Sequence, residues 1–409
     1  MSGEIRSRLE RLRRSGELHG AGQAGTKSLQ PRQGFLFPGE EEEHDLGVGR
    51  CYLRELKIPL GQSHGRGRLA EALHCRGEAL SLLDKTRDWH GFQAAGALFL
   101  DTETTGLSGG TGTWVFLIGL GWFENDSFIL RQYFLRHPVE ERAMLTHFTN
   151  TASRFDTLVT FNGRAFDLPL IQSRQVLAGL ARCTEPKRHL DLLYCSRRLW
   201  KERLPSCSLR SLEESILGLK RYGDIPGEEI PAVYFNYLRR GETARLKQVF
   251  QHNVLDILSM VTLLVRVIRA AAGEAVEHPA DFYSLGKLHL EAGETERAAR
   301  CFAQSMQCGD ERLAQAALQQ MAAIHKKQGR WQEATKLWHE LIRRRPYDLS
   351  PYVELAKYYE HQAKEYEAAL ESATQALSRA RQRRGPASGE LSLPALQHRL
   401  TRLRRKLGQ

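Results

Sequence analysis

Between Ala97 and Phe161 the chain carries four short apolar or aromatic runs, ALFLD (97–101), TWVFLIGL (113–120), FILRQYFL (128–135) and TLVTF (157–161), and this succession limits the fold most. Runs of this length, separated by Gly-rich or Asn/Asp turns, read as strands. Pro138 opens a helical stretch to about Thr151, and helical periodicity dominates from Ala165 to Arg269. Three strands, a helix, a fourth strand and then helices predict a mixed α/β domain over 95–270. The 51–94 segment reads as a lead-in packing on that domain, with a strand near Tyr52–Ile58 and a helix near Leu69–Leu83. Residues 1–50, with the acidic run Glu40–Glu43, have no sustained apolar period and are read as a flexible segment without a fold.

After His278 the pattern changes to a repeat. Phe282, Leu285, Gly286, Gly293, Ala298 and Phe302 recur 36 residues later as Leu318, Met321, Ala322, Gly329, Ala334 and Trp338, and Tyr352, Leu355, Ala356 and Ala369 continue the series. Small residues where two helices touch, with large apolar residues beside them, resemble tetratricopeptide repeats over 279–380. An all-α region is therefore expected there, followed by a basic tail at 381–409.

The chain has 409 residues, enough for two folded units, and no apolar run approaches the roughly 20 residues that span a bilayer. Met1–Arg14 has five Arg and two Glu without an apolar segment, so no signal peptide is indicated, no membrane role is expected and the cytoplasm is the expected location. Seven cysteines without a C-x-x-C pair point to neither a disulfide framework nor a thiolate zinc site. The net charge of +11 suggests a polyanionic partner. Residues 379–409 hold nine basic side chains and one acidic one, and Arg182–Arg221 holds ten basic against five acidic, with Tyr194, Trp200 and Tyr222 interleaved. That internal stretch could track a single nucleic-acid strand by charge and stacking, although core packing suits Trp200 better.

Three acidic motifs carry the chemistry. In DTE (101–103) the strand period of two places Asp101 and Glu103 on one face and Thr102 on the other. Two carboxylates at the edge of an apolar strand repel each other, and a hard divalent cation such as Mg²⁺ or Mn²⁺ removes that conflict. The second motif, FNGRAFDLP (161–169), brings Asp167 to a helix start after the fourth strand, and the third, QHNVLD (251–256), puts His252 and Asp256 on one helix face. Read singly, each has a plainer explanation: surface acids at a strand end, a helix N-terminal Asp, a structural His/Asp pair.

Together and in this order, the motifs resemble the ribonuclease H-like superfamily of four-carboxylate (DEDD) 3′–5′ exonucleases, and the second is similar to that of family-B DNA polymerase proofreading domains. The resemblance implies a ribonuclease H-like mixed sheet with flanking helices, and a hydrolase that cleaves single-stranded DNA or RNA. It implies two Mg²⁺ or Mn²⁺ ions held by Asp101, Glu103, Asp167 and Asp256, with His252 as general base or water-orienting group. Thr104 and Leu107 match positions that contact the terminal nucleotide, and Asn162 is a candidate for holding sugar or phosphate. The sequence departs in one respect: the family places Tyr four residues, or His five residues, before the last Asp, whereas His252 stands four before Asp256. Asp191 suits either the surroundings of the metal site or a helix N-cap. The SGGTG loop (108–112) could offer amides to phosphate or simply join two strands, and no G-x-x-x-x-G-K-[ST] motif is present. The rival reading is a non-catalytic nucleic-acid-binding adaptor that recruits a protein partner through its helical repeats.

Overall fold

The computed structural model describes residues 37, 41–45, 47–85, 88–106, 112–181, 186–274, 276–307, 309–382 and 389–409. Among them, seven strands build one mixed sheet: β1 (Glu41–Asp45), β2 (Arg50–Pro59), β3 (Ala97–Thr104), β4 (Val115–Glu124), β5 (Ser127–Phe134), β6 (Thr157–Thr160) and β7 (Arg188–Asp191). Their spatial order is β1-β2-β5-β4-β3-β6-β7. β3, β4 and β5 form an antiparallel meander, and Asn125, at φ 49°, takes the left-handed position that tightens the β4–β5 turn. β6 and β7 lie parallel to β3, so each needs a crossover, supplied by α1 (Glu141–Ala152) and α2 (Asp167–Leu177). This is the predicted ribonuclease H-like α/β sheet with flanking helices.

The sheet buries both faces, which is why its strands read as continuous apolar runs. Phe99, Phe128, Leu130, Val159 and Leu190 pack on one side against α3 (Leu192–Trp200) and the long helix α5 (Leu246–Ala271). Leu98, Leu100, Ile129, Tyr133 and Leu158 pack on the other against α1, α2 and α4 (Ile230–Arg240). In α5, Ile257, Val261, Leu264 and Ile268 recur at helical spacing and are buried.

Two local readings need correction, the flexible acidic run and the single helix near Leu69–Leu83, while the strand expected near Tyr52–Ile58 is β2. The acidic run assigned to a flexible segment holds β1, which pairs in register with β2, and Glu43 is held by Arg50 and Arg136. The lead-in contributes β2 to the sheet itself, paired from Tyr52↔Phe134 to Pro59↔Ser127. The helix expected near Leu69–Leu83 is two 3₁₀ turns, Leu69–His74 and Glu78–Leu82, because Arg76 and Gly77 turn aside to pair with Gln93 and Phe92. The basic tail contains a helix, α12 (Leu393–Lys406).

Beyond α5 the described chain is helical. α6 (Pro279–Glu291) pairs with α7 (Thr295–Ser305), α8 (Glu311–Lys327) with α9 (Trp331–Arg344), and α10 (Leu349–Tyr358) with α11 (Tyr366–Gln382). Gly293 and Gly329 take left-handed φ values of 81° and 72° between paired helices, and Lys364 takes 60° at the equivalent place in the third pair. Gly286 is small by necessity, since a Cβ there would lie 2.6 Å from the Phe302 ring. The first pair docks on α3: Leu199 and Trp200 share a core with Leu285 and Leu288, rimmed by Arg198–Glu291 (2.6 Å), Lys287–Glu202 (2.8 Å) and Arg203–Asp281 (3.0 Å). The apolar contacts dominate this seam, because partly exposed ion pairs contribute at most about 1 kcal/mol each. No described helix is long and apolar enough to cross a membrane.

Candidate active site

β3 directs Asp101 and Glu103 toward α5, and the approach of that helix is set by two bare positions on β4. Gly119 stands opposite Asp101, and a Cβ there would lie 2.1 Å from Asn253 Oδ1; at Gly121 it would lie 2.7 Å from Ile257 Cγ2. Without those side chains α5 lies close on the sheet, and Asn253 Nδ2 donates to Asp101 Oδ2 at 2.7 Å. Asp256 and His252, one turn apart on α5, are 3.7 Å from each other at their nearest N and O atoms. Asp167 opens α2 on the other side of β3, where Thr102 Oγ1 donates to its Oδ1.

The electrostatics join these groups into one centre. Desolvation first, then the charges of Asp256 and Asp167, push the Asp101 carboxyl well above the ordinary range. Glu103 is raised in the same way, by desolvation and then by Asp101, Asp256 and Asp167. Asp167 is pushed up to about 6, chiefly by burial, with Asp191 and Asp256 adding to it and the Thr102 hydrogen bond opposing. Like charges in a low-dielectric pocket favour protonation of some of them, and a cation relieves the repulsion. Among the described residues no three acidic, imidazole or thiol groups are already gathered as a metal cage; Asp167 is turned to Thr102 and Asp256 to Arg221. The all-oxygen, carboxylate-rich donor set nevertheless suits Mg²⁺ or Mn²⁺.

Three neighbours escaped the sequence reading. Arg221, nearly buried, donates to Asp256 and Glu213 and, at 3.1 Å, to Asp224. Asp224 lies 2.9 Å from His252 Nδ1 through either oxygen, which leaves Nε2 facing Asp256. Burial disfavours the His252 cation, but the bond to Asp224 and the Asp256 charge outweigh it, so its pKa is raised. Burial likewise opposes the Asp224 carboxylate, yet His252 and Arg221 hold its pKa below the usual value. Asn253 is the third. Asn253 lies within QHNVLD but carries no charge to mark it, and the other two form no motif, because Asp224 is 28 residues and Arg221 is 35 residues from the partner on α5.

Residues 98–268 match the RNase H superfamily. Across a far longer span the chain is 33% identical, over 369 residues, to the uncharacterized protein YprB of Bacillus subtilis (strain 168), covering 87% of this chain and 86% of that one. The chain belongs to the YprB family. Among solved structures, it is similar to the family B DNA polymerase of the archaeon Pyrobaculum calidifontis at 14% identity and a TM-score of 0.32, covering 48% of this chain and 29% of the polymerase. The RNase H superfamily domain of this YprB-family chain suggests a nuclease and nucleic-acid binding.

The remaining expected residues of the YprB-family chain are less central. The Thr104 hydroxyl donates to the Gly106 carbonyl at 2.9 Å and closes the turn after β3. Leu107 lies outside the described residues, as does most of the SGGTG loop. Asn162, at φ 65°, forms the turn before Asp167, and its amide donates to Asp191 Oδ1 at 2.9 Å. Asp191 also accepts from the Arg164 and Leu193 amides, so it caps α3 and ties that helix to the turn. Asn162, Arg164, Tyr194 and Arg197 line a cleft of about 220 Å³. Much of the basic stretch is neutralised within the protein, by Asp156 on Lys187, Glu291 on Arg198, Asp281 on Arg203 and the acids around Arg221. Trp200 is buried, as core packing requires.

Proposed function

We propose that this chain is a metal-dependent 3′–5′ exonuclease of the four-carboxylate type that hydrolyses phosphodiester bonds of single-stranded DNA or RNA. The observation that carries the reading is the gathering of Asp101, Glu103, Asp167 and Asp256 from three separate elements, where burial first and then neighbouring acids, Asp256 among them each time, raise the other three, beside a histidine already oriented by a carboxylate. Two Mg²⁺ or Mn²⁺ ions held by Asp101, Glu103, Asp167 and Asp256 would supply Lewis acidity, lowering the pKa of water and offsetting charge on the leaving oxygen. His252 accepts the water proton at Nε2 while Asp224 holds the Nδ1 proton and fixes the ring. The strand enters through the cleft beside Asn162, where half-exposed Tyr194 offers a stacking face and Arg164 and Arg197 offer positive charge. Polarity rests on the resemblance to the exonucleases. The paired helices from α6 to α11 are proposed as tetratricopeptide-like units for a protein partner.

Matched 3′- and 5′-labelled RNA and DNA strands, incubated with Mn²⁺ and either wild type or Asp101→Ala, test the reading. Stepwise shortening from the 3′ end by wild type alone is expected. Equal metal-dependent cleavage by both proteins would reject the site, and tight strand binding without cleavage of any substrate would favour the adaptor reading.

A further inference from the structure

Two buried hydrogen-bonded chains run from the acidic centre back to the segment that precedes the RNase H superfamily match, and each ends on one residue of that segment. The first follows a single row of the sheet. Asp101 is registered opposite Gly119, Gly119 opposite Gln132, and Gln132 opposite Arg54 on β2. Arg54 Nη1 donates to Gln132 Oε1 at 3.1 Å, Gln132 Nε2 donates to Asn253 Oδ1 at 2.8 Å, and Asn253 Nδ2 donates to Asp101 Oδ2 at 2.7 Å. Asn253 occupies the space over Gly119 that a side chain there would need. An arginine can only donate, so Gln132 must turn Oε1 to Arg54 and Nε2 to Asn253 Oδ1, which in turn aims Asn253 Nδ2 at Asp101.

The second chain starts at His64, in the small hairpin after β2. His64 Nε2 and Ser259 Oγ are 2.7 Å apart; the Ser259 hydroxyl donates to Glu213, which accepts from Arg221, and Arg221 donates to Asp256. Because the single hydroxyl proton of Ser259 goes to Glu213, the proton between His64 and Ser259 belongs to His64 Nε2. Burial, with the Arg221 charge adding, holds the His64 pKa down to about 4, so the ring is neutral at pH 7. Gln132, Asn253, Ser259 and Glu213 have essentially no exposure. Apolar side chains of the same shape would fill this space with no polar groups to satisfy, so packing alone does not call for such chains.

We infer that Arg54 and His64 are the outer anchors of the active site, positioning Asp101 through Gln132 and Asn253, and Asp256 through Ser259, Glu213 and Arg221. The segment before the RNase H superfamily match is then part of the catalytic apparatus. This rests on the proposed function insofar as Asp101 and Asp256 are metal ligands.

The test is Mn²⁺ affinity of the full chain, measured from the electron paramagnetic resonance signal of free Mn²⁺ well below each protein's melting midpoint. Gln132→Glu is isosteric and gains a charge pair with Arg54, but it reverses the polarity required of Asn253 and so turns an acceptor toward Asp101. Ser259→Ala cuts the second chain while removing one oxygen. Both variants are expected to bind Mn²⁺ more weakly, with the about 10–100-fold loss that follows removal of a metal ligand's own partner as the upper range. Wild-type affinity in folded Gln132→Glu and Ser259→Ala proteins, whatever their melting midpoints, would overturn the inference and leave the proposed function standing. Absence of Mn²⁺ binding by wild type, or equal binding by Asp101→Asn, would overturn the metal-site reading and this inference with it.

Discussion

Replacing Asp167 by Asn should stabilise the metal-free protein at neutral pH, by an amount that follows from the site. The carboxyl is held at about 6 against an ordinary value of 3.8, with burial as the main cause. That is roughly two units, and at about 1.4 kcal/mol per unit the ionised group costs about 3 kcal/mol in the folded state. Because the folded-state pKa lies above the unfolded one, the folded protein binds the proton more tightly. The resulting stability is fully present below about pH 4 and is lost as pH rises through about 6. Asp101 and Glu103, raised for the same reasons, extend the loss upward in pH. An Asn at 167 removes one titration and keeps an oxygen to accept from Thr102. Urea unfolding in EDTA should therefore show the wild-type midpoint falling relative to Asp167→Asn between about pH 4.5 and 7.5. With Mn²⁺ the order should reverse, and the wild-type gain should grow with pH, since protons must leave before a cation binds. Parallel midpoints for the two proteins across this range in EDTA would refute the account of carboxylates raised by burial and by one another.

His252→Ala should lower cleavage by about 10²–10⁴-fold, the usual contribution of a general base, and Asp224→Asn by less, with single-turnover rates as the measurement. Gly119→Ala places a methyl 2.1 Å from Asn253 Oδ1; it should cost about 1–3 kcal/mol in thermal melting and weaken Mn²⁺ binding as α5 is displaced. Glu360, fully buried, accepts from Arg399, Arg402 and Lys406 on α12; burial opposes its charge, but Arg402 and Lys406 hold its pKa down to about 2. Glu360→Gln should raise amide exchange in α12 about 10-fold, equivalent to roughly 1.4 kcal/mol. In wild type, this contribution should persist until the pH falls below about 4.5 toward 2.

The acids of the centre and His252 were legible because each lies on a regular element, so a local period fixed its direction: β3 for Asp101 and Glu103, α2 for Asp167, α5 for His252 and Asp256. Their partners were not, because Arg221 and Asp224 sit in an irregular segment whose course is decided by contacts with α5. Gln132 was hidden in an apolar strand, where nothing local distinguishes an amide that reaches across a row. The strand β7, RHLD, has too few apolar residues to show a period and exists because β6 offers it a parallel edge. The basic stretch looked like a path for a polyanion until its cations were found beside acids distant in sequence. By contrast, the 36-residue repeat was legible, and Gly293 and Gly329, aligned in it as small residues, prove to be the left-handed positions between paired helices.

The seam at α3 bears on how the chain can be divided. This nine-residue helix, roughly 13 Å long, is tethered at its start by Asp191 to the turn leading into Asp167, and at its end Trp200 lies under Leu285 and Leu288. Excision at the compositional break near residue 278 would strip the cover from that tryptophan and leave the rod fastened at one end. The RNase H-like part is therefore not a self-sufficient fragment, and recombinant truncations should retain at least the first helical hairpin.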